Sequence, residues 1–247
     1  MTPESMARTA VALSVVTLDT LVCGSAAIAI GAALGPTHPL VSRVYREYAR
    51  VALAGCGATV RASGESALDP KRRYVFVANH TSHLDALAIL TALPRHGLRF
   101  IAKDDLARVP VFGQALRATG NVFVARSDTK RDIRALEEAR RGLVRHISVL
   151  FFAEGHRAKS GDLAPFKKGA AVFALKTRLA LVPVGVHGAF DICPPGFEVI
   201  RSGTIGVAIG DPIEVRGRRL ADRDALTDEV RDAVQKQMAQ ARDLASR

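Results

Sequence analysis

The sequence predicts an α/β fold, with a single central sheet flanked by helices and preceded by membrane-associated helices at the N-terminus. Three observations predict it. Short β-branched or aromatic runs alternate with longer amphipathic ones from about residue 71 onward. The first 35 residues hold a concentrated apolar stretch. Polar clusters recur where the apolar runs end, and ligands of open α/β sheets gather there.

The N-terminal elements come first in the chain. From Thr9 to Gly35 the only formal charge is Asp19, and roughly 20 apolar residues are enough to cross a bilayer. An aspartate at a helix centre costs about 2.5–3.5 kcal/mol on insertion scales, so a membrane-immersed or re-entrant helix pair competes with a simple span. Glu4 and Arg8 precede the stretch and deny it the positive leader of a secretory signal. In "LVSRVYREYARVALAG" (40–55), Val41, Val44, Tyr45, Tyr48, Val51 and Ala52 repeat at helical spacing, with Arg43, Arg46, Glu47 and Arg50 opposite. Such a helix suits a membrane interface, and an ordinary surface helix is the alternative. Arginines just after an apolar segment favour a cytoplasmic position for the main domain. The division expected is 1–58 for membrane-associated helices and 59–247 for the α/β catalytic domain.

Strands are expected at 74–78, 98–102, 121–125, 149–153, 181–186 and 204–210, each bounded by turn or charged residues. Helical patterns fall near 83–94, 104–118, 128–146 and 168–178. A last helix, about 222–245, carries Leu226, Val230, Val234 and Met238 on its apolar face.

Composition narrows the partners. The 247 residues are 48% hydrophobic and carry a formal net charge of +11, which favours anionic partners. Aromatics are 5% with no Trp, which argues against nucleic acid and for lipid surfaces or phosphorylated small molecules. Cys23, Cys56 and Cys193 lie far apart and suggest neither a disulfide framework nor a zinc site; a reducing compartment is the default.

The polar clusters are Asn79-His80, Lys103, Arg126 and Glu154-Gly155-His156-Arg157, each following an expected strand. His80, His83 and Asp85 resemble a metal site only superficially, because no further paired histidine spacing occurs, and no metal is expected. Ser82 and Asp85 have the spacing of a capping box, so a plain helix cap is the bland reading. It leaves His80 unexplained. Asp85 in a first helical turn can reach back and hold the imidazole of His80, which makes a general base. Ser82 lacks a nucleophile elbow, so the attacking group is expected to be a substrate hydroxyl. Ser82 then caps the helix, Asn79 supports the turn, and His83 is read as a bystander. Lys167 and Lys168 in "PFKKGA" fit either a solvated helix start or an anion contact.

These residues resemble a known family. "NHTSHLD" (79–85) is similar to the NHx4D motif of the glycerolipid acyltransferases, specifically the 1-acyl-glycerol-3-phosphate acyltransferases. "AKDDLARVPVFG" (102–113), "GNVFVAR" (120–126), "FFAEGHRAKSGDLAPFKKGA" (151–170) and "LVPVGV" (181–186) resemble the family's further blocks, in order. The resemblance implies a single central mixed sheet flanked by helices, and transfer of an acyl chain from acyl-CoA or acyl-carrier protein to a lysophospholipid hydroxyl, with no cofactor. It implies that His80 deprotonates the acceptor, Asp85 supports His80, and Arg126 and Arg157 hold the phosphate. Glu154 and Gly155 would shape that loop, and Lys103 is a further phosphate candidate. A local ion pair between Glu154 and Arg157 is an alternative to direct substrate contact. Two departures stand out: Ala153 replaces the usual Pro, and His156 replaces the usual Thr, which opens the acceptor's identity to other lysolipids. On the residues alone, a lipid-directed hydrolase and a non-catalytic lipid-binding module remain alternatives.

Overall fold

Alternating apolar runs become strands β1 (Ala58–Ser63), β2 (Val75–Ala78), β3 (Leu98–Lys103), β4 (Val122–Val124), β5 (Ser148–Phe152), β6 (Leu181–His187) and β7 (Gly203–Ile209). The helices are α1 (Pro3–Leu34), α2 (Pro39–Gly55), α3 (Leu84–Ala92), α4 (Phe112–Ala118), α5 (Thr129–Gly142), α6 (Gly169–Thr177), α7 (Ala189–Ile192) and α8 (Arg223–Ser246). This computed structural model describes residues 3–125, 129–142, 147–157, 163–194 and 199–247.

The strands form one sheet in the order β1-β7-β6-β2-β5-β3-β4. β6, β2, β5, β3 and β4 run parallel; β7 pairs antiparallel with β6, and β1 parallel with β7. The sheet is therefore mixed. Connections through α3 and α6 leave neighbouring strands in opposite directions, β2 toward β3 and β5 back across to β6. Successive residues of β2 alternate between two cores: Phe76 and Ala78 share one with α2 and α3, Val75 and Val77 the other with α6 and α8. Right-handed crossovers that diverge onto opposite faces open a crevice at the carboxyl ends of β2 and β5.

All six strands expected from the sequence occur within one residue of their bounds. β1 was not expected. It is an edge strand whose Thr59, Arg61, Ala62 and Ser63 are exposed, so it lacks apolar alternation. The single helix expected over 104–118 is two pieces, a 3-10 turn at Asp104–Arg108 and then α4. Pro110 breaks the helix, and the Phe112 N–H turns back to the Pro110 carbonyl at 2.6 Å around Val111, whose φ is +59°. That is a tight γ-turn, a strained conformation for a β-branched residue. α8 lies close along β6 and β7 because Gly185 and Gly206 have no Cβ; one added there would fall 2.1 Å from Gln237 C and 1.8 Å from Ala241 O.

α1 is one continuous 32-residue helix, and the segment Ser5–Leu34 is long and apolar enough to cross a membrane by length and composition. Its buried stripe is small or polar: Thr9, Ala12, Asp19, Gly24, Ala27 and Gly31. Its large aliphatics face outward, with Leu18 64% and Val22 61% exposed. Such an inside-out distribution leaves a contiguous apolar surface. α2 corrects an expectation. Its arginine face is turned out, but Val41, Tyr45, Ala49, Ala52 and Leu53 are buried in the core shared with α3 and β2. Packing against protein occupies the face that was assigned to lipid.

A buried arginine ties this helix pair to the sheet. Arg99 of β3 is fully buried and donates to the carbonyls of Thr119 (2.5 Å), Leu98 (2.7 Å) and Pro36, while its guanidinium lies 5.2 Å from the Tyr45 ring centre. No carboxylate is needed when three carbonyls and a ring face meet the charge.

Candidate functional site

β2 ends in the middle of the sheet, between β5 and β6, and the chain then turns into α3 through Asn79-His80-Thr81-Ser82-His83. Asn79 extends the ladder with its side chain: Nδ2 donates to the Val186 carbonyl at 2.9 Å, and Oδ1 accepts the Val186 N–H at 2.8 Å. The turn is thereby fixed to β6. Alternation places His80 on the same face of the sheet as Phe76 and Ala78, the side where α3 packs.

His80 Nδ1 lies 2.9 Å from Asp85 Oδ2. Asp85 is fully buried, and the same Oδ2 accepts the N–H groups of Thr81 (2.6 Å) and Ser82 (2.8 Å). A carboxylate only accepts, so the imidazole donates from Nδ1 and keeps its lone pair on Nε2. The ring is stacked on Phe152, 3.9 Å between centroids and 17° between planes. His80 is thus held on an edge by a charge and on a face by an aromatic, with 18% of its side chain exposed.

Ser82 is buried; its Oγ donates to the Cys193 carbonyl at 2.6 Å and accepts the N–H of Leu84, the first residue of α3, at 3.2 Å. Only half of the expected capping box forms. Asp85 takes the Ser82 N–H, but the Asp85 N–H goes to the Ser82 backbone carbonyl at 3.3 Å, not to its hydroxyl.

The loop after β5 closes the crevice. Glu154, 2% exposed, accepts the His80 N–H on Oε1 at 2.8 Å and the Ala164 N–H on Oε2 at 3.0 Å. Burial pushes its carboxyl up, opposed by those two N–H groups. Glu154 faces inward as a strut between the two loops, in keeping with a loop-shaping part, and Arg157 meets His83 in place of Glu154. Gly155 has φ +79°, and a Cβ there would come 2.7 Å from Cε of Lys167, whose side chain crosses it. The two lysines that the sequence left undivided now differ. Lys168 pairs with Asp224 of α8 at 2.9 Å, whereas Lys167 lies over the loop that carries Arg157.

His83, read as a bystander, has a partner across the site. Its Nε2 meets Nη1 of Arg157. Burial, then Arg157 and His80, push the imidazole down to about 4, so it is neutral and accepts. The capping pattern around it hid this contact, because nothing in the local sequence shows that residue 157 folds back onto residue 83. Phe152 was missed for a similar reason, although it sits two residues before Glu154 on the strand.

Of the residues singled out from the sequence, Asn79, His80, Ser82, Asp85, Glu154, Gly155 and Arg157 converge here. Lys103 does not. It ends β3, two strands and so roughly 10 Å from β2, and its exposed Nζ pairs with Asp105. Arg126 lies outside the described residues. His156 is exposed.

Comparison with known proteins places the chain in a family and its fold beside a solved one. A model of the acyltransferase family matches residues 59–187. The chloroplastic 1-acyl-sn-glycerol-3-phosphate acyltransferase of Brassica napus is 34% identical over 165 residues, 66% of this chain and 46% of that protein. The alpha form from Ovis aries is 31% identical over 179 residues, 72% of this chain and 62% of that one. The chain thus matches about half the length of these relatives. The crystal structure of the 1-acyl-sn-glycerophosphate acyltransferase of Thermotoga maritima superposes with a TM-score of 0.78 at 23% identity, covering 94% of this chain and 95% of the other. At that identity the likeness speaks for the fold alone.

Proposed function

Because the chain belongs to the acyltransferase family, we propose that it moves a fatty acyl chain from acyl-CoA or acyl-carrier protein to the sn-2 hydroxyl of 1-acyl-glycerol-3-phosphate, giving phosphatidic acid. The observation that carries the reading is the His80–Asp85 pair, 2.9 Å apart, with its carboxylate buried and fixed by two backbone N–H groups. Relatives named for this reaction support the acceptor.

In the proposed mechanism His80 Nε2 takes the proton of the acceptor hydroxyl as its oxygen attacks the thioester carbonyl. Asp85 stabilises the imidazolium that forms, an arrangement typically worth about 10²–10⁴ in rate. The tetrahedral intermediate collapses by breaking the carbon–sulfur bond, and the imidazolium returns its proton to the thiolate. Ester and free thiol leave, and no acyl-enzyme forms. Arg157 binds the acceptor phosphate through its planar fork, and Lys167 stands beside that loop as a second cation. Arg126 keeps the phosphate role that the resemblance assigned it, as a proposal; Lys103 would have to leave Asp105 and reach across β5 to share it. Residues 59–247 form the catalytic unit in this reading. The aliphatic face of α1 holds it on a membrane, where acceptor and product reside, and the arginines of α2 favour the cytoplasmic side.

The test is acyl-CoA-dependent conversion of a panel of labelled lysolipids by the detergent-purified chain and its His80→Ala variant. Transfer to lysophosphatidic acid that vanishes in the variant is expected. Fatty-acid release without any acceptor would favour a hydrolase, and transfer only to another lysolipid would reassign the acceptor.

A further inference from the structure

α3 begins with an unusual division of labour. The Leu84 N–H that opens it is taken by Ser82 Oγ and the Asp85 N–H by the Ser82 carbonyl, and His83, which immediately precedes the helix, makes no side-chain capping bond. Its half-buried imidazole turns instead to the β5–α6 loop, where Nε2 faces Nη1 of Arg157. A lone pair facing a guanidinium requires a neutral ring with its proton on Nδ1. A protonated His83 would repel Arg157.

We infer that His83 is a positioning residue for the acceptor's phosphate: it accepts a hydrogen bond from Arg157 and fixes the guanidinium plane, so that the remaining N–H groups of the fork meet the anion in one orientation. The inference rests on the proposed role of Arg157. A guanidinium carries five N–H donors in a rigid fork, so one bond to a rigid ring sets the direction of the others. Without it the side chain, on a loop hinged at Gly155 with φ +79°, is left to sample several rotamers. Substrate binding would then have to order it. Neutrality matters equally. His83 meets Arg157 and feels the charge of His80 as well, and a permanent acceptor holds Arg157 without adding positive charge near the imidazolium formed in the reaction. His83 touches no reacting atom, so its removal should appear in acceptor binding and not in the chemical step.

The experiment is a mutant cycle on the purified full chain, read as acceptor KM and kcat with lysophosphatidic acid. Its variants are His83→Phe, which keeps a ring without an acceptor, His83→Gln, whose amide oxygen can accept, Arg157→Ala, and the double variant His83→Phe with Arg157→Ala. His83→Phe is expected to raise acceptor KM about tenfold with kcat within about threefold, and His83→Gln to recover most of that loss. The double variant is expected to be no worse than Arg157→Ala alone, since residues acting through one another are not additive. An unchanged KM in His83→Phe, an effect that adds fully to that of Arg157→Ala, or no recovery in His83→Gln would overturn the inference while the phosphate role of Arg157 stands. An unchanged KM in Arg157→Ala itself would remove that role and the inference with it.

Discussion

Replacing Asp85 by Asn separates the two jobs its carboxylate performs. The amide oxygen can take the place of Oδ2 and keep the N–H groups of Thr81 and Ser82, held at 2.6 and 2.8 Å. The amide nitrogen falls where Oδ1 has no partner among the described residues, an unsatisfied group that costs about 1–3 kcal/mol of stability. The fold should survive. The charge does not, and it matters when His80 takes the acceptor's proton. At 2.9 Å and an effective dielectric near 20, the imidazolium–carboxylate attraction is about 5–6 kcal/mol. The amide dipole replaces only part of it. A net loss of about 4–5 kcal/mol, at 1.36 kcal/mol per tenfold, lowers kcat by about 10³–10⁴. The assay is initial-rate acyl transfer under saturating acceptor and donor, with circular dichroism and thermal unfolding to verify folding. A folded Asp85→Asn enzyme within tenfold of the parent kcat would refute the assignment of Asp85 as the support of a proton-accepting His80.

Three further outcomes are expected. Glu154→Gln can accept only one of the two N–H groups that now reach separate oxygens; a loss of about 1–3 kcal/mol in urea unfolding is expected, together with at least tenfold lower activity, and an enzyme unaltered in both would contradict the strut role. Leu18→Lys with Val22→Lys charges the outward face of α1, where these residues are 64% and 61% exposed; vesicle co-sedimentation should fall about tenfold or more, and undiminished binding would show that another surface holds the membrane. His83, His96 and His187 are all held below the ordinary histidine value, chiefly by burial, His83 at about 4. Each stays neutral when folded and takes a proton more readily when unfolded, so stability should be full above about 6.5 and fall as pH drops toward 4. The urea midpoint measured at pH 7 and at pH 5 should show this, with a smaller difference in His83→Phe; a flat profile would count against the burial described.

How much was legible in advance depended on range. His80 and Asp85 are five residues apart, joined by one turn between a strand and a helix, and short-range geometry of this kind is written in residue types and spacing. The central strands were equally plain, because β2, β5 and β6 are buried on both faces and read as continuous apolar runs. β1 escaped because an exposed edge strand carries no such signal. The split of 104–118 followed from Pro110, which the sequence displayed but the periodicity outvoted.

What only the tertiary structure decided was which separated segments meet. Strand order placed β5 beside β2 and so brought Glu154 under the His80 N–H, Phe152 against its ring and Arg157 onto His83, some 70 residues apart in the chain. The same order set Lys103 two strands away, where it pairs with its neighbour Asp105. It also turned the apolar side of α2 into the protein and left that of α1 outside. The sequence by itself determined the His80–Asp85 pair and the elements that carry it, since local backbone geometry and hydrophobic period act over a few residues. The surroundings of that pair depend on strand adjacency, which no local pattern encodes.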